Sequence, residues 1–217
     1  MKIFIDFDDV IFNTNKFKDD LIKIFLDNGV SEEEFKDHYY NYPPNTDGDA
    51  RLKTYFFERH IKVLGENIDI DEDKLKKDVS DFFSDTSSYV FPDAIDFLNS
   101  FEKNDLCIVS FGGRELLEMK IGNSGVTNLV RDVILTEELK ESAIGDSIRR
   151  EKIKRYEDKF FLDDRMDQIK SVKEKFPEIK TILIKRPEGR YDDKPGDCCD
   201  FVAKDLREAD KIINGNS

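Results

Sequence analysis

The 217-residue chain has only two histidines and three cysteines, and no excess of positive charge. His38 and His60 lie in helical-looking segments, far in sequence from the acidic N-terminal motif, which argues against a histidine metal site or a Ser-His-Asp triad. Three cysteines cannot form a disulfide framework. Cys107 sits in an apolar run as a small hydrophobe, and the adjacent Cys198 and Cys199 lack zinc-site spacing. No apolar run approaches the about 20 residues needed to span a bilayer. The N-terminus has no basic region, long apolar stretch or small-residue cleavage site, so no secretory signal is expected. Together these absences predict a cytoplasmic protein with reduced thiols and no membrane partner. A net charge of −13 argues against non-specific binding to nucleic acid or anionic membranes. It leaves room for a small anionic substrate, because a bound cation inverts the local field. Neither an internal repeat nor a low-complexity tract is visible.

What is present is an apolar run, Ile3-Phe4-Ile5, that ends abruptly in Asp6, Phe7, Asp8 and Asp9. Carboxylates are costly to bury unpaired. Several of them at the C-terminal end of a core strand suggest a cation-binding site that does chemistry. In a regular strand Asp6 and Asp8 share a face; if the strand stops at Asp6, Asp8 can turn over the mouth of the site. Judged alone, the cluster reads equally well as a solvated acidic turn.

Helical periodicity follows. Phe17, Leu21, Ile24 and Phe25 share a face before Gly29, and Ser31 with Glu34 makes a capping box. Pro43-Pro44 and the Asn-Thr-Asp-Gly run at 45–48 break the pattern. Periodicity returns over 52–64, ending at Gly65, and again over 71–83, with Leu75, Val79, Phe82 and Phe83 inward. From Pro92 onward helix and strand alternate. Apolar runs at 106–109, 133–135, 160–162, 181–184 and 201–202 read as strands, with helices near 114–122, 147–156 and 166–175 and a closing helix after the last strand. This predicts an α/β fold: a doubly wound, mostly parallel Rossmann-like sheet with an inserted α-helical cap. The expected division is a core of residues 1–14 and 89–217 and a helical cap insertion over 15–88.

Three of these strands end in polar residues: Asp6/Asp8, Ser110 and Asp163/Asp164. Parallel strands bring such ends to one edge, where ligands bind in open α/β sheets. The arrangement resembles the haloacid dehalogenase (HAD) superfamily, in its phosphatase branch with a helical cap. Asp6-Phe-Asp8-Asp-Val10 matches the first motif. Leu106-Cys-Ile-Val-Ser110 matches the second, and Phe160-Phe-Leu-Asp163-Asp164, with Asp167 beyond, matches the fourth. The third motif is a lysine upstream of the fourth; Lys152 is the choice, with Lys154 and Lys140 as rivals. The fourth motif lacks the glycine that precedes the acids in many members, and its Leu-Asp-Asp-Arg form looks like that of some nucleotidase-like members.

The resemblance implies a Mg²⁺-dependent hydrolase acting on a small phosphorylated metabolite, with nucleotide and sugar phosphates as candidates. It makes Asp6 the nucleophile that forms an aspartyl-phosphate, and Asp8 the general acid and then base. That role calls for a raised proton affinity at Asp8, which a neighbouring carboxylate can supply. Lys152 would neutralise the phosphate and Asp6. Ser110, Phe111 and Gly112 would bind phosphate oxygens. Mg²⁺ would sit on the Asp6 carboxylate, the Asp8 carbonyl and the Asp163 carboxylate, with Asp164 or Asp167 holding its waters. Other readings are a phosphotransferase or mutase, or a catalytically weak binding or regulatory protein on this fold. Taken singly, Ser110 is an ordinary helix cap, Lys152 a surface lysine, and the basic loop 186–190 a solvated loop. Asp9 reads as structural or solvent-facing, and the Tyr39-Tyr40-Asn-Tyr42 cluster as packing a helix end.

Overall fold

The computed structural model describes residues 1–40, 57–154 and 157–215. The Pro43-Pro44 break, the run at 45–48, Tyr42 and the start of periodicity at Leu52 lie outside them, as does the 155–156 end of the expected basic helix. β1 (Lys2–Ile5) is buried at every position. It lies between β2 (Leu106–Phe111) and β4 (Lys159–Asp163), both parallel to it. β3 (Asp132–Thr136), β5 (Lys180–Ile184) and β6 (Phe201–Ala203) complete a parallel sheet in the order β3-β2-β1-β4-β5-β6. Near-continuous apolar strands of this kind belong to a sheet covered on both faces. One buried cluster packs around Ile3, Ile5 and Leu162, and a second around Phe4, Val109 and Phe161. The strand order reverses at the β1/β4 boundary, where the carboxyl ends of adjacent strands leave a crevice.

Among the described residues, four α-helices fall within residues 14–83, after β1: α1 (Thr14–Asp27), α2 (Glu32–Tyr40), α3 (Phe57–Asn67) and α4 (Glu72–Phe83). The capping box forms as expected: the Glu34 amide donates to Ser31 Oγ at 3.2 Å, and the Ser31 amide to Glu34 Oε2 at 2.8 Å. Asp71 caps α4 by accepting from the Lys74 amide at 2.9 Å. α3 does not stop at Gly65 but runs on to Asn67. Gly65 lies against the Glu72 side chain, which a Cβ at this position would displace. The four helices share the larger core cluster with the sheet, bridged by contacts among Phe12, Phe17, Phe82, Phe83 and Tyr89.

After β1 the chain makes a tight turn, with the Phe12 amide donating to Phe7 O at 3.0 Å and the Phe91 amide to Ile11 O at 2.9 Å. α5 (Pro92–Asn99) begins on a proline, as the missing N–H allows. α6 (Arg114–Gly122), α8 (Met166–Lys175) and α9 (Leu206–Ile213) fall where the periodicity places them. α7 does not. It spans Lys140–Glu151, beginning seven residues before the expected 147 and ending at Lys152 in a left-handed conformation (φ 56°). Its buried face is Lys140, Ile144, Gly145 and Ser147, which carries too little apolar signal for periodicity to mark its start.

Candidate active site

The crevice holds a pocket of about 180 Å³ lined by Asp6, Asp8, Phe111, Lys140, Asp164, Arg165, Gln168, Arg190 and Tyr191. A roomier depression of about 430 Å³ lies along the edge strand β3, among Arg114, Glu118, Val133 and Arg150. None of the strand-end acids lines it, and converging polar groups mark a site better than size does.

Asp6 follows the last residue of β1 and is buried, with its amide donating to Leu162 O at 2.9 Å. Its Oδ1 accepts from the Phe7 amide at 2.7 Å and pairs with Lys140 Nζ at 2.7 Å. Both contacts fall on Oδ1. Burial pushes this carboxyl up to about 7, helped by the charges of Asp163 and Asp8 and opposed by Lys140. Lys140 Nζ also donates to Asp163 Oδ2 at 2.6 Å. Burial works against its charge, but Asp163 and Asp6 more than compensate and hold its proton affinity above the ordinary lysine value.

Of the candidate lysines, Lys140 is the one that reaches Asp6 and Asp163, and Lys152 does not. The two occupy opposite ends of α7, about 18 Å apart along a 12-residue helix. The early start of α7 is what carries Lys140 into the crevice, fixed there by its amide donating to Gln168 Oε1 at 3.1 Å.

Asp163 and Asp164 differ in their surroundings. Asp163 is fully buried with both oxygens engaged, Oδ2 by Lys140 and Oδ1 by the Arg165 amide at 2.9 Å. Asp164 lines the pocket, and its Oδ2 is buried without a hydrogen-bond partner. Burial first, then the charges of Asp6, Asp163 and Asp9, push its carboxyl up to about 10. Asp163 is the last residue of β4 and Asp164 the first beyond it, and of the two only Asp164 lines the pocket. Asp167 instead forms a two-point pair with Arg165, 3.1 Å from Nε and 2.6 Å from Nη2, and is half exposed.

Asp8 lies on the turn above Asp6. Its Oδ1 accepts from Thr14 Oγ1 at 3.1 Å and from Lys120 Nζ, and Arg190 stands 4.0 Å from Oδ2. Burial would raise its proton affinity, but Lys120 and Arg190 outweigh that and hold the carboxyl below the usual range. This is the reverse of the expected shift: two cations, not a carboxylate, dominate its surroundings. Lys120 was missed by sequence reasoning although a signal existed, since Leu117, Lys120 and Ile121 fall on one buried helical stripe. Its ammonium lies 5.0 Å from the centre of the Phe12 ring.

Ser110 is the penultimate residue of β2, its Oγ buried and unpartnered, and Phe111 ends the strand and lines the pocket. Gly112 follows with φ 152°, its amide donating to Thr136 O at 3.0 Å, so that amide is engaged within the sheet edge. Asp9 is buried, not solvent-facing, in a left-handed conformation (φ 59°), with Oδ2 paired to Arg190. Tyr39 of α2 is near enough to the site for the charges of Asp8 and Arg190 to act on its hydroxyl, which burial pushes up.

Asp6, Asp163 and Asp164 each offer a carboxylate oxygen within 4.8 Å of one another. An all-oxygen set with an unpartnered buried carboxylate suits a hard divalent cation such as Mg²⁺. Asp164 has an oxygen without a hydrogen-bond partner, whereas both oxygens of Asp163 already accept, from Lys140 and the Arg165 amide.

No protein-family model and no curated protein matches the sequence. Solved structures do match over essentially the whole chain. A putative haloacid dehalogenase-like hydrolase from Burkholderia xenovorans superposes with a TM-score of 0.68 at 15% identity, covering 96% of each chain. The L-2-haloacid dehalogenase of Xanthobacter autotrophicus gives 0.65 at 14% identity, covering 100% of this chain and 99% of that one. A putative HAD-hydrolase from Bacillus subtilis, solved bound to magnesium, gives 0.61 at 15% identity over 98% of each. The chain therefore has the haloacid dehalogenase-like fold, a mostly parallel Rossmann-like sheet with helices inserted after its first strand.

Proposed function

We propose that the protein is a Mg²⁺-dependent phosphomonoesterase acting on a small phosphorylated metabolite. The observation that carries this reading is the pairing of Asp6 and Asp8 in one pocket, Asp6 keeping Oδ2 clear of its Lys140 and Phe7 contacts. The structural neighbours include proteins described as dehalogenases, so the second acid bears on the choice. A halide leaves as a stable anion and needs no proton. The alkoxide of a phosphate ester does, and an acid poised above the nucleophile supplies it.

In this reading Asp6 Oδ2 attacks phosphorus and forms an aspartyl-phosphate, dividing one hard displacement into two easier ones. Asp8 protonates the leaving oxygen, then takes a proton from the water that releases phosphate. The negative charge of the bound phosphate offsets Lys120 and Arg190 and lifts the proton affinity of Asp8 as substrate arrives. Lys140 holds Asp6 in place and meets the charge developing on the phosphoryl oxygens. The unpartnered Ser110 hydroxyl is available to a phosphoryl oxygen. Mg²⁺, held by the Asp6 and Asp164 carboxylates and the Asp8 carbonyl, would supply the positive charge that lets acids and phosphate share one pocket. Residues 15–88 serve as a cap that closes the mouth and excludes water, with Tyr39 on its inner side.

The test is phosphate release from a panel of phosphomonoesters, with Mg²⁺ and with chelator, by wild type and Asp6→Asn. Metal-dependent release, abolished in a folded variant, is the expected result. Normal turnover in Asp6→Asn would overturn the mechanism.

A further inference from the structure

Residues 186–191, between β5 and β6, contribute no motif to the site, yet they are stitched along the catalytic turn. Arg186 is buried and donates from Nε and Nη2 to Val10 O at 3.0 and 2.9 Å, and from Nη2 to Asp93 Oδ2 at 2.9 Å. Asn15 Nδ2 donates to Glu188 O at 2.7 Å. Gly189 lets the strap fold tightly on itself, since a Cβ there would lie 3.2 Å from Arg186 O, and it sits beside Asp9. The next residue, Arg190, turns into the pocket.

The two arginines of this strap differ in kind. Arg186 is enclosed, and its bonds hold the fold together. Arg190 is about one-third exposed, gives Nε to Asp9, and keeps the rest of its guanidinium at the pocket mouth. Among the described residues no carboxylate other than Asp8 and Asp9 lies within 4.0 Å of it. Arg165 lines the same pocket, anchored on one edge by Asp167. Both guanidiniums lie 5.4 Å from the centre of the Tyr191 ring, and Arg165 is also 5.4 Å from that of Phe111. A guanidinium held by a carboxylate on one edge and a ring on its face loses little freedom when it binds an anion. The reacting phosphate already has Lys140 and the expected cation, so two further prearranged forks exceed what one phosphoryl group uses.

We propose that Arg190 and Arg165, set by the 186–191 strap and the Tyr191 ring, form a subsite for a second anionic group, carboxylate or phosphate, on the substrate. This rests on the phosphomonoesterase reading and narrows its substrate class to doubly anionic phosphate esters. Asp9 is a positioning residue that aims Arg190.

The test is calorimetric titration of the full chain, in Mg²⁺, with 3-phosphonopropionate and with propylphosphonate, which has no carboxylate. Neither probe is a phosphate ester, so the readout is independent of turnover. Wild type is expected to prefer the diacid at least tenfold, and Arg190→Gln to reduce that preference to under threefold. Arg165→Gln and Arg190→Lys, each checked for folding by circular dichroism, keep the test valid should Arg190→Gln unfold. Equal affinity for the two probes in wild type, no binding of either, or an unchanged preference in the folded variants would overturn the subsite. Failure of the phosphatase reading would show differently, as a diacid preference with no phosphate release from any ester.

Discussion

At the scale of single residues, four buried or pocket-lining cations divide the acids among them. Lys140 serves Asp6 and Asp163, Lys120 serves Asp8, Arg190 serves Asp8 and Asp9, and Arg165 serves Asp167. Lys140→Met leaves two buried carboxylates without their partner. It should cost about 3–5 kcal/mol in urea unfolding and at least about a hundredfold in kcat. Lys152→Ala, at the far end of α7, should leave kcat within about threefold, which separates the two lysines by steady-state assay. A second buried pair gives a pH prediction far from the site. Lys2 Nζ lies 2.9 Å from Glu151 Oε2, and both side chains are buried. Burial raises the Glu151 carboxyl, but bonds from Lys2 and Ser147 and the charges of Lys2 and Arg131 outweigh it and hold it below 4.5. A depressed folded value means the stabilisation is complete above pH 4.5 and is lost as pH falls below it. The Tm gap between wild type and Glu151→Gln should therefore be constant from pH 7 to 5 and close toward pH 3.

At the scale of elements, helix ends decide more than helix interiors. Asp71→Ala removes the side-chain cap of α4 and should cost about 1 kcal/mol in urea unfolding. Lys152 ends α7 in a left-handed conformation that glycine adopts without a Cβ clash. Lys152→Gly should accordingly stabilise by about 1 kcal/mol in the same measurement. α7 also shows why its lysine could not be chosen from sequence. Periodicity marks a helix by its apolar stripe, and the first turn of α7 buries Lys140 and no large hydrophobe. By contrast α1 and α4 bury Phe17, Leu21 and Phe25, and Leu75, Val79 and Phe83, and they appear where the pattern puts them.

At the scale of the molecule, the sheet gathers acids from residues 6–9 and 163–164 into one crevice, and the gathering is stable only with cations. If the expected metal completes it, Mg²⁺ should raise Tm, by the equivalent of about 2.7 kcal/mol at a hundredfold excess over Kd, and chelator should reverse the rise. Asp164→Asn should abolish the shift, because Asp164 carries the unpartnered oxygen. Asp167→Asn should retain it, because Asp167 is committed to Arg165. A shift that survives Asp164→Asn would return the metal contact to Asp163.

The sequence by itself determined the layer architecture and the sheet edge at which the candidate site lies. Apolar strands ending in acids, separated by helical periods, leave a parallel sheet little alternative, and parallel sheets collect their strand ends at one edge. Tertiary structure decided which neighbours of those acids matter. Whether Asp163 or Asp164 faces the pocket depends on strand direction and pleat, which a two-residue acidic run does not encode. That Lys120, Lys140 and Arg190 converge on Asp6, Asp8 and Asp9 depends on contacts across 112, 134 and 181 positions of chain. Their charges have meaning only once burial has removed the water that screens them.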